Sequence, residues 1–284
     1  MFNSVARYVQ LSARLYLRGA APTIVYSKER TGSVALYQSL TAAGHAAIAT
    51  HYLDPAKIRE GKLSGSARWA SKHVVQPRRK AKFITLVRNP VENILSTFAR
   101  GVFVDRALPN GAPVESPLDL SVDQLIAFFH DDYLKNGRYQ RELDWFETEY
   151  ERALGIDAFK FSFDKAVGIG RVVRDNFEGL ILRTELADGV KANAVAEFLG
   201  IAHFSMLDRR EATQGKSAGA PGVSGENAPY RDHYREFKAR VTIPDEHWER
   251  IAHSKLATHF CDERELVNAR KMNTVEAEVA RPSA

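Results

Sequence analysis

The stretch IVYSKERTGSVAL, residues 24–36, joins an apolar strand to a helix through a short basic turn. The strand is predicted over residues 23–27, and Ser33 is predicted to open the helix. A strand that ends in a tight turn at a helix N-terminus directs several backbone N–H groups, and the positive end of the helix, at one point. This arrangement is typical of a site for a phosphate or a related anion.

The residue types in the turn suit an anion. Gly32 would let the backbone approach a ligand closely, and the neighbours Thr31 and Ser33 carry hydroxyl donors. Arg30 and Lys28 add positive charge. The chain contains neither G-x-x-x-x-G-K-[ST] nor G-x-G-x-x-G, which excludes the two commonest phosphate-binding signatures. On these residues alone, an ordinary strand-to-helix turn is an equally good interpretation.

A second stretch, FITLVRNPVENILSTF at residues 83–98, carries another cation at the end of an apolar strand. Arg88 ends the strand, and Asn89-Pro90 predicts the N-cap and first residue of a helix. Ser96 follows Arg88 by eight residues. Taken singly, Arg88 suits a structural ion pair and Ser96 a helix surface. Because open α/β sheets bind ligands at the carboxyl ends of their strands, the two stretches together indicate one anion site.

Strand and helix patterns alternate along much of the chain. Further strands are predicted at AAIATHYL (46–53), DAFKFSF (157–163) and GLILRTE (179–185), and a helix is predicted at 190–200. Ser121 with Gln124 indicates a helix capping box. The repeated order predicts an α/β fold with a mainly parallel central sheet flanked by helices.

The domain prediction follows composition. Residues 1–22 are predicted to form an N-terminal amphipathic helix, and residues 23–270 a single α/β domain. Within it, the glycine-rich segment 208–232 is predicted to be a flexible lid or loop. Residues 271–284 are predicted to be a tail.

The paired motifs resemble those of the sulfotransferases that use 3′-phosphoadenosine 5′-phosphosulfate. The resemblance implies a P-loop-like sulfotransferase fold, with Arg30, Thr31, Gly32, Ser33 and Val34 holding the 5′-phosphosulfate and Arg88 and Ser96 holding the 3′-phosphate. Val34 stands where many relatives carry a hydroxyl residue, which leaves that contact to the backbone. Later stretches, including LILRTEL and IAHSKLATHF, are similar to a bacterial branch linked to capsular polysaccharide synthesis. The stretch GENAPYRDHY (225–234) resembles an altered form of that branch's Asn-Lys-Trp-Tyr-Ser signature.

The resemblance also implies the chemistry. The expected reaction is in-line transfer of a sulfuryl group to a hydroxyl of a carbohydrate or lipid-linked sugar, with no metal required. His51 is the predicted general base, because imidazole titrates near neutral pH, and Glu29 is the alternative. Arg30 is predicted to neutralise charge on the leaving group. His247, His253, His259 and Cys261 are residue types that bind zinc, but i, i+6 spacing places helical side chains on different faces, so a zinc site is not predicted.

Charge and composition limit the partners. Forty Lys and Arg against 35 Asp and Glu leave a net charge of +5, which suits an anionic ligand and does not indicate nucleic-acid binding. The single cysteine excludes an intramolecular disulfide and favours a reducing, cytoplasmic setting. Residues 1–19 carry apolar side chains among arginines. They are predicted to pack on the domain, with peripheral membrane contact as the alternative.

Two other functions stay open at this point. One is a nucleotide-dependent phosphotransferase, which would need a carboxylate for Mg²⁺; Asp54 and Asp105 are its weak candidates. The other is a nucleotide- or glycan-binding protein that keeps the sulfotransferase fold without turnover. A preference of the chain for nucleotides with a 3′-phosphate would argue against the phosphotransferase. Turnover of the donor would argue against the binding protein.

Overall fold

The computed structural model describes residues 2–17, 19–59, 64–207 and 228–270. The chain divides into two compact units. The first unit comprises residues 1–88 and 145–215, and the second comprises residues 89–144 and 216–284. Most of the predicted anion-site residues therefore belong to the first unit, whereas Ser96 belongs to the second.

A six-stranded sheet forms the centre of the first unit, in the order β2-β1-β3-β6-β5-β4. Strands β2, β1, β3 and β6 are parallel to one another, and β5 is antiparallel to both of its neighbours. The prediction of a mainly parallel α/β sheet is confirmed. The strand bounds are β1 Thr23–Tyr26, β2 Ala47–Thr50, β3 Ala81–Val87, β4 Phe163–Asp164, β5 Ile169–Arg174 and β6 Phe177–Arg183.

The helices flank this sheet in the first unit and make up most of the second. In chain order they are α1 Phe2–Leu17, α2 Ser33–Ala42, α3 Pro55–Arg59, α4 Gly65–Ala70, α5 Pro90–Phe103, α6 Val122–Phe128, α7 Gln140–Leu143, α8 Arg152–Leu154, α9 Asp188–Leu199, α10 Ala228–Arg240, α11 Asp245–Ala252 and α12 Lys255–Phe260. Residues 263–270 are also helical. Wider π-helical turns occupy Ser71–Val75, Phe129–Leu134 and Phe146–Glu151, and 3₁₀ turns occupy Pro117–Asp119 and Ala158–Lys160.

Both faces of the sheet are covered by apolar side chains. On one face, α2 and α9 pack on the strands through a fully buried cluster that includes Val25, Leu36, Ile84 and Val195. Side chains alternate along a strand, so Tyr26 lies on the opposite face from Val25. There the Tyr26 ring meets the rings of two residues from the 145–150 segment. Burial on both faces explains why β1 and β3 read as continuous apolar runs.

Residues 157–163 are not the strand that their composition predicts. The Asp157 side chain accepts a hydrogen bond from the Phe159 backbone N–H, at 3.1 Å, and a 3₁₀ turn follows. Only Phe163–Asp164 pairs with the sheet, and its partner is β5, a strand that the sequence patterns did not indicate. The turn forms in place of the strand because the Asp157 carboxylate stabilises it at the point where the strand would have to begin.

The second unit confirms two predicted helix starts. The Asn89 side chain accepts from the Val91 backbone N–H at 3.0 Å, with Pro90 as the first helical residue of α5. Ser121 and Gln124 form the capping box of α6.

In α11 His247 is buried, and its Nδ1 lies 3.1 Å from the Tyr139 hydroxyl. Burial lowers the pKa of His247, which favours its neutral form.

Helix α1 packs on the first unit through part of its length. Leu11 and Leu15 are buried, and the Ser12 hydroxyl accepts a hydrogen bond from Trp69 Nε1 at 3.1 Å. Val9 and Leu17 are exposed. In the part of the chain that the structure describes, no helix has the length and apolar character needed to cross a membrane.

Gly179 in β6 offers a test of how tightly the sheet packs. A methyl group there would lie 2.5 Å from Val172 Cγ2 and 3.1 Å from the Tyr150 hydroxyl oxygen. We expect Gly179→Ala to destabilise the chain by about 1–3 kcal/mol through overpacking, seen as a lower midpoint of thermal unfolding. Gly189→Ala in α9 is the control: its methyl group meets nothing within 4 Å, so the midpoint should hold or rise. Equal midpoints for the two variants would contradict the packing.

Candidate functional site

The turn between β1 and α2 has the tight geometry that its sequence predicts. Gly32 is the N-cap of α2 and has a left-handed backbone, with φ of 85°. Arg30 also has a positive φ, of 65°, which is uncommon for a residue other than glycine. Two left-handed residues within three positions curl the backbone sharply before the helix begins at Ser33. The first-turn N–H groups of α2 therefore start directly after the curl.

Hydrogen bonds within the first unit hold this turn. The Thr31 hydroxyl donates to the Lys28 carbonyl oxygen at 2.8 Å, and the Thr31 carbonyl oxygen accepts from the Thr184 hydroxyl at 2.9 Å. Thr31 is buried, and its hydroxyl hydrogen is used in the bond to the Lys28 carbonyl oxygen within the turn. Gly32 and Arg30 are exposed. The most exposed residues of the turn are therefore Arg30 and Gly32.

Arg88 is brought to the same turn. It follows β3 directly, and its Nη1 donates to the Arg30 carbonyl oxygen at 3.1 Å. Because β1 and β3 are adjacent and parallel, their carboxyl ends meet at one edge of the sheet. The guanidinium of Arg88 and the backbone turn at Arg30 are therefore neighbours.

Thr184 and Lys191 support the turn and were not predicted. The backbone N–H of Thr184 donates to the Val87 carbonyl oxygen at 2.8 Å, which places Thr184 beyond the end of β6 and beside the end of β3. Lys191 is buried in α9, and its Nζ donates to the Thr184 carbonyl oxygen at 3.2 Å. The same Nζ lies 2.8 Å from Asp188. A chain of polar contacts therefore runs from α9 through Thr184 to the turn.

His51 lies where β2 ends, next to the start of the turn. Its Nδ1 is 2.7 Å from the carbonyl oxygen of Ser27, the residue that follows β1. A carbonyl oxygen only accepts, so Nδ1 carries a proton and donates. In the neutral ring Nε2 is then the unprotonated nitrogen, which is able to take a proton from another molecule.

Glu29, the alternative base, is half-buried in the turn. Its Oε1 lies 3.5 Å from the Tyr52 hydroxyl, at the outer limit of a hydrogen bond. Tyr52 follows His51 directly in the chain. The two candidate bases are thus attached to neighbouring loops at one edge of the sheet.

Glu149 is a buried carboxylate that no sequence pattern indicated. Its Oε1 accepts from the Leu53 and Asp54 backbone N–H groups, at 2.6 and 2.9 Å, and from the Tyr26 hydroxyl at 2.9 Å. Its Oε2 lies 2.8 Å from Lys57 Nζ. Burial, followed by the Glu149 charge, raises the pKa of Tyr26 far above its ordinary value. Tyr26 therefore remains a hydrogen-bond donor to this carboxylate.

The other predicted residues have different surroundings. Ser96 is buried in α5 of the second unit, and its predicted contact with a 3′-phosphate stays a prediction. Val34 is 55% exposed in the first turn of α2. Of the predicted lid 208–232, residues 208–227 lie outside the described residues. Among the residues that are described, no group of three His, Cys, Asp or Glu side chains is arranged to hold a metal ion.

Comparison with known families gives one match. The family model NKWYS, described as "Putative capsular polysaccharide synthesis protein", matches residues 117–262, slightly more than half of the chain. The search of curated proteins found no match. The matched range contains Glu149, Thr184 and Lys191. The turn, His51 and Arg88 precede it.

The backbone at Gly32 can be tested separately from its side-chain surroundings. A methyl group at Gly32 would meet only ordinary contacts, the nearest at 3.9 Å, but an alanine at φ of 85° is strained. We expect Gly32→Ala to lower stability by about 1–2 kcal/mol, the cost of a left-handed residue with a side chain. Gly32→Ala should also weaken binding of adenosine 3′,5′-bisphosphate, measured by calorimetry.

Gly44, at the other end of α2, provides the matched control. It has a φ of 71°, and a methyl group there meets nothing within 4 Å. Gly44→Ala should therefore lose similar stability while nucleotide binding stays at the wild-type level. Equal losses of nucleotide affinity in the two variants would mean that the turn at Gly32 has no special part in binding.

Proposed function

The chain belongs to the NKWYS family, whose description links it to capsular polysaccharide synthesis, and on that premise we propose that it is a sulfotransferase. The proposed reaction moves a sulfuryl group from 3′-phosphoadenosine 5′-phosphosulfate to a hydroxyl of a carbohydrate or glycolipid acceptor. The family supports the carbohydrate side of this proposal. The donor side is supported by the site at the edge of the sheet.

The observation that carries the donor side is the hydrogen bond between Arg88 and the Arg30 carbonyl oxygen. It links the two stretches that resemble the nucleotide motifs of sulfotransferases, which lie 58 residues apart in the chain. A bisphosphorylated nucleotide needs cations and N–H donors for two separate anionic groups. Arg30 with the N-terminus of α2 would serve the 5′ group, and Arg88 the 3′-phosphate, with Ser96 as its predicted partner.

The chain's residues have distinct parts in the proposed transfer. The acceptor oxygen forms a bond to sulfur, the bond from sulfur to the bridging oxygen of the donor breaks, and that oxygen leaves with adenosine 3′,5′-bisphosphate. Arg30 and the α2 N–H groups would stabilise the negative charge that grows on the bridging oxygen. The Nε2 of His51 would take the acceptor's proton, because its Nδ1 is already protonated toward Ser27.

Arg88→Ala tests the donor site. Loss of a charge-assisted bond to a phosphate costs about 2–4 kcal/mol of binding free energy, or roughly 30- to 1000-fold in the dissociation constant. Calorimetry with adenosine 3′,5′-bisphosphate would measure this loss. Arg88→Lys is the control for charge: it should recover part of the affinity but not all, because lysine lacks the planar fork of arginine. An unchanged dissociation constant in Arg88→Ala would remove Arg88 from the site.

Nucleotide preference then separates this proposal from other functions of the same fold. The wild-type chain should bind adenosine 3′,5′-bisphosphate more tightly than ADP or AMP, because only the bisphosphate offers a 3′-phosphate. A preference for ADP would favour a phosphotransferase instead. The binding-protein function would be favoured if the chain prefers a 3′-phosphate but does not turn over labelled donor with any of a panel of glycans and lipid-linked sugars.

His51→Ala separates proton transfer from donor binding. His51 is proposed to act on the acceptor, so this variant should keep its affinity for adenosine 3′,5′-bisphosphate. Its turnover should fall by roughly 10² to 10⁴, the usual contribution of a positioned general base. Arg30→Ala should instead lose affinity and turnover together, because Arg30 faces the donor in both the ground state and the transition state. Full activity in His51→Ala would transfer the role to Glu29.

A further inference from the structure

Two residues of one segment hold the loop that follows β2, and that loop carries His51. The Trp145 indole N–H donates to the His51 carbonyl oxygen at 3.2 Å. Four residues later, the carboxylate of Glu149 accepts from the backbone N–H groups of Leu53 and Asp54. The loop is therefore fixed at His51 itself and at Leu53 and Asp54 by side chains about 95 residues away in sequence.

Glu149 is the centre of this arrangement. Its side chain is fully buried, and its Oε1 accepts from the Tyr26 hydroxyl on β1 and from the two loop N–H groups. Its Oε2 forms an ion pair with Lys57 on α3. A buried carboxylate is costly unless it is hydrogen-bonded, and a buried ion pair by itself adds little to stability. The Glu149 carboxylate accepts from backbone N–H groups of the loop after β2. These hydrogen bonds fix the conformation of that loop as well as compensating the buried charge.

We infer that Glu149 is a positioning residue for His51: its buried carboxylate and the Trp145 indole N–H hold residues 51–54 so that His51 Nδ1 reaches the Ser27 carbonyl oxygen and Nε2 is left as the proton acceptor. The inference rests on the proposed role of His51 as the base. Without Glu149, the buried N–H groups of Leu53 and Asp54 lose their acceptor. The loop would then rearrange to satisfy them, because an unpaired buried N–H is unfavourable.

The position of the His51 proton is the signature of this role. While Nδ1 donates to the Ser27 carbonyl oxygen, the neutral ring is held in one tautomer. If the loop moves, imidazole is able to carry its proton on either nitrogen. A residue that only adds stability would lower the unfolding midpoint without changing this tautomer in the protein that remains folded.

The test is ¹⁵N NMR of histidine-labelled protein at pH 8.5, with the His51 signals identified by their loss in His51→Gln. The wild type should show His51 with a protonated Nδ1 and an unprotonated Nε2. Glu149→Gln keeps the shape of the side chain but offers only a weaker amide oxygen to its three donors, and its NH2 group would face Lys57 or the loop N–H groups. We therefore expect the loop to shift and the second tautomer to appear in this variant. Turnover should fall by about 10²-fold, the effect expected of a misplaced catalytic group, while the affinity for adenosine 3′,5′-bisphosphate is unchanged.

Glu142→Gln is the matched control. Glu142 is also a fully buried carboxylate, and it belongs to the second unit, where it accepts from Thr97 and Arg141. This variant should lose stability and leave the His51 tautomer as it is in the wild type. A single wild-type tautomer in Glu149→Gln would overturn the inference, and so would an equal change in Glu142→Gln.

Trp145→Phe keeps the test decisive if Glu149→Gln does not fold. It retains a smaller aromatic ring against Tyr26 and removes the N–H that binds the His51 carbonyl oxygen. A wild-type His51 spectrum in Trp145→Phe would then overturn the inference, and a mixed tautomer would support it. The NMR readout needs no nucleotide. Failure of the wild type to bind adenosine 3′,5′-bisphosphate would therefore count against the proposed function alone.

Discussion

The parallel hydrogen-bond ladder joining β2, β1, β3 and β6 is the constraint on which the candidate site depends. Parallel strands end at the same edge of a sheet, so the loops that follow them are neighbours whatever their separation in sequence. The register pairs Tyr26 with Thr50, and Val87 with Arg183. Each loop at this edge therefore begins within reach of the next. The bond from His51 to Ser27 follows from that register, because these two residues come directly after the Tyr26–Thr50 pair.

Features that depend on local chemistry could be predicted from the sequence. The helix starts at Asn89 with Pro90 and at Ser121 with Gln124 each depend on groups within a few residues, so the sequence pattern contains the whole interaction. The buried strands could be predicted for the same reason, because burial on both faces requires a continuous apolar run. From those strands and the edge rule, the proximity of Arg88 to the turn could be predicted as well.

Features that depend on distant partners could not be predicted. Glu149 in a polar helical stretch looks like a surface residue, and only the fold shows that its carboxylate receives donors from residues 26, 53 and 54. Lys191 is similar, since a buried lysine cannot be told from an exposed one by its neighbours in sequence. At residues 157–163 the apolar composition favours a strand, but the Asp157 carboxylate stabilises a competing turn.

The distribution of these residues along the chain bears on what the family match means. The side chains proposed to face a ligand, Arg30, His51 and Arg88, precede residue 117. The side chains that hold them, among them Glu149, Thr184 and Lys191, lie within the matched range 117–262. Thr184 and Lys191 fix the turn, and Glu149 fixes the loop that carries His51. A site of this kind requires both parts, because groups placed loosely by even 1 Å lose most of their catalytic effect. In the proposed site, the family-matched part of the chain therefore has a supporting part: it holds the turn at Thr31 and the loop at residues 51–54, while the first 88 residues supply the cations and the imidazole.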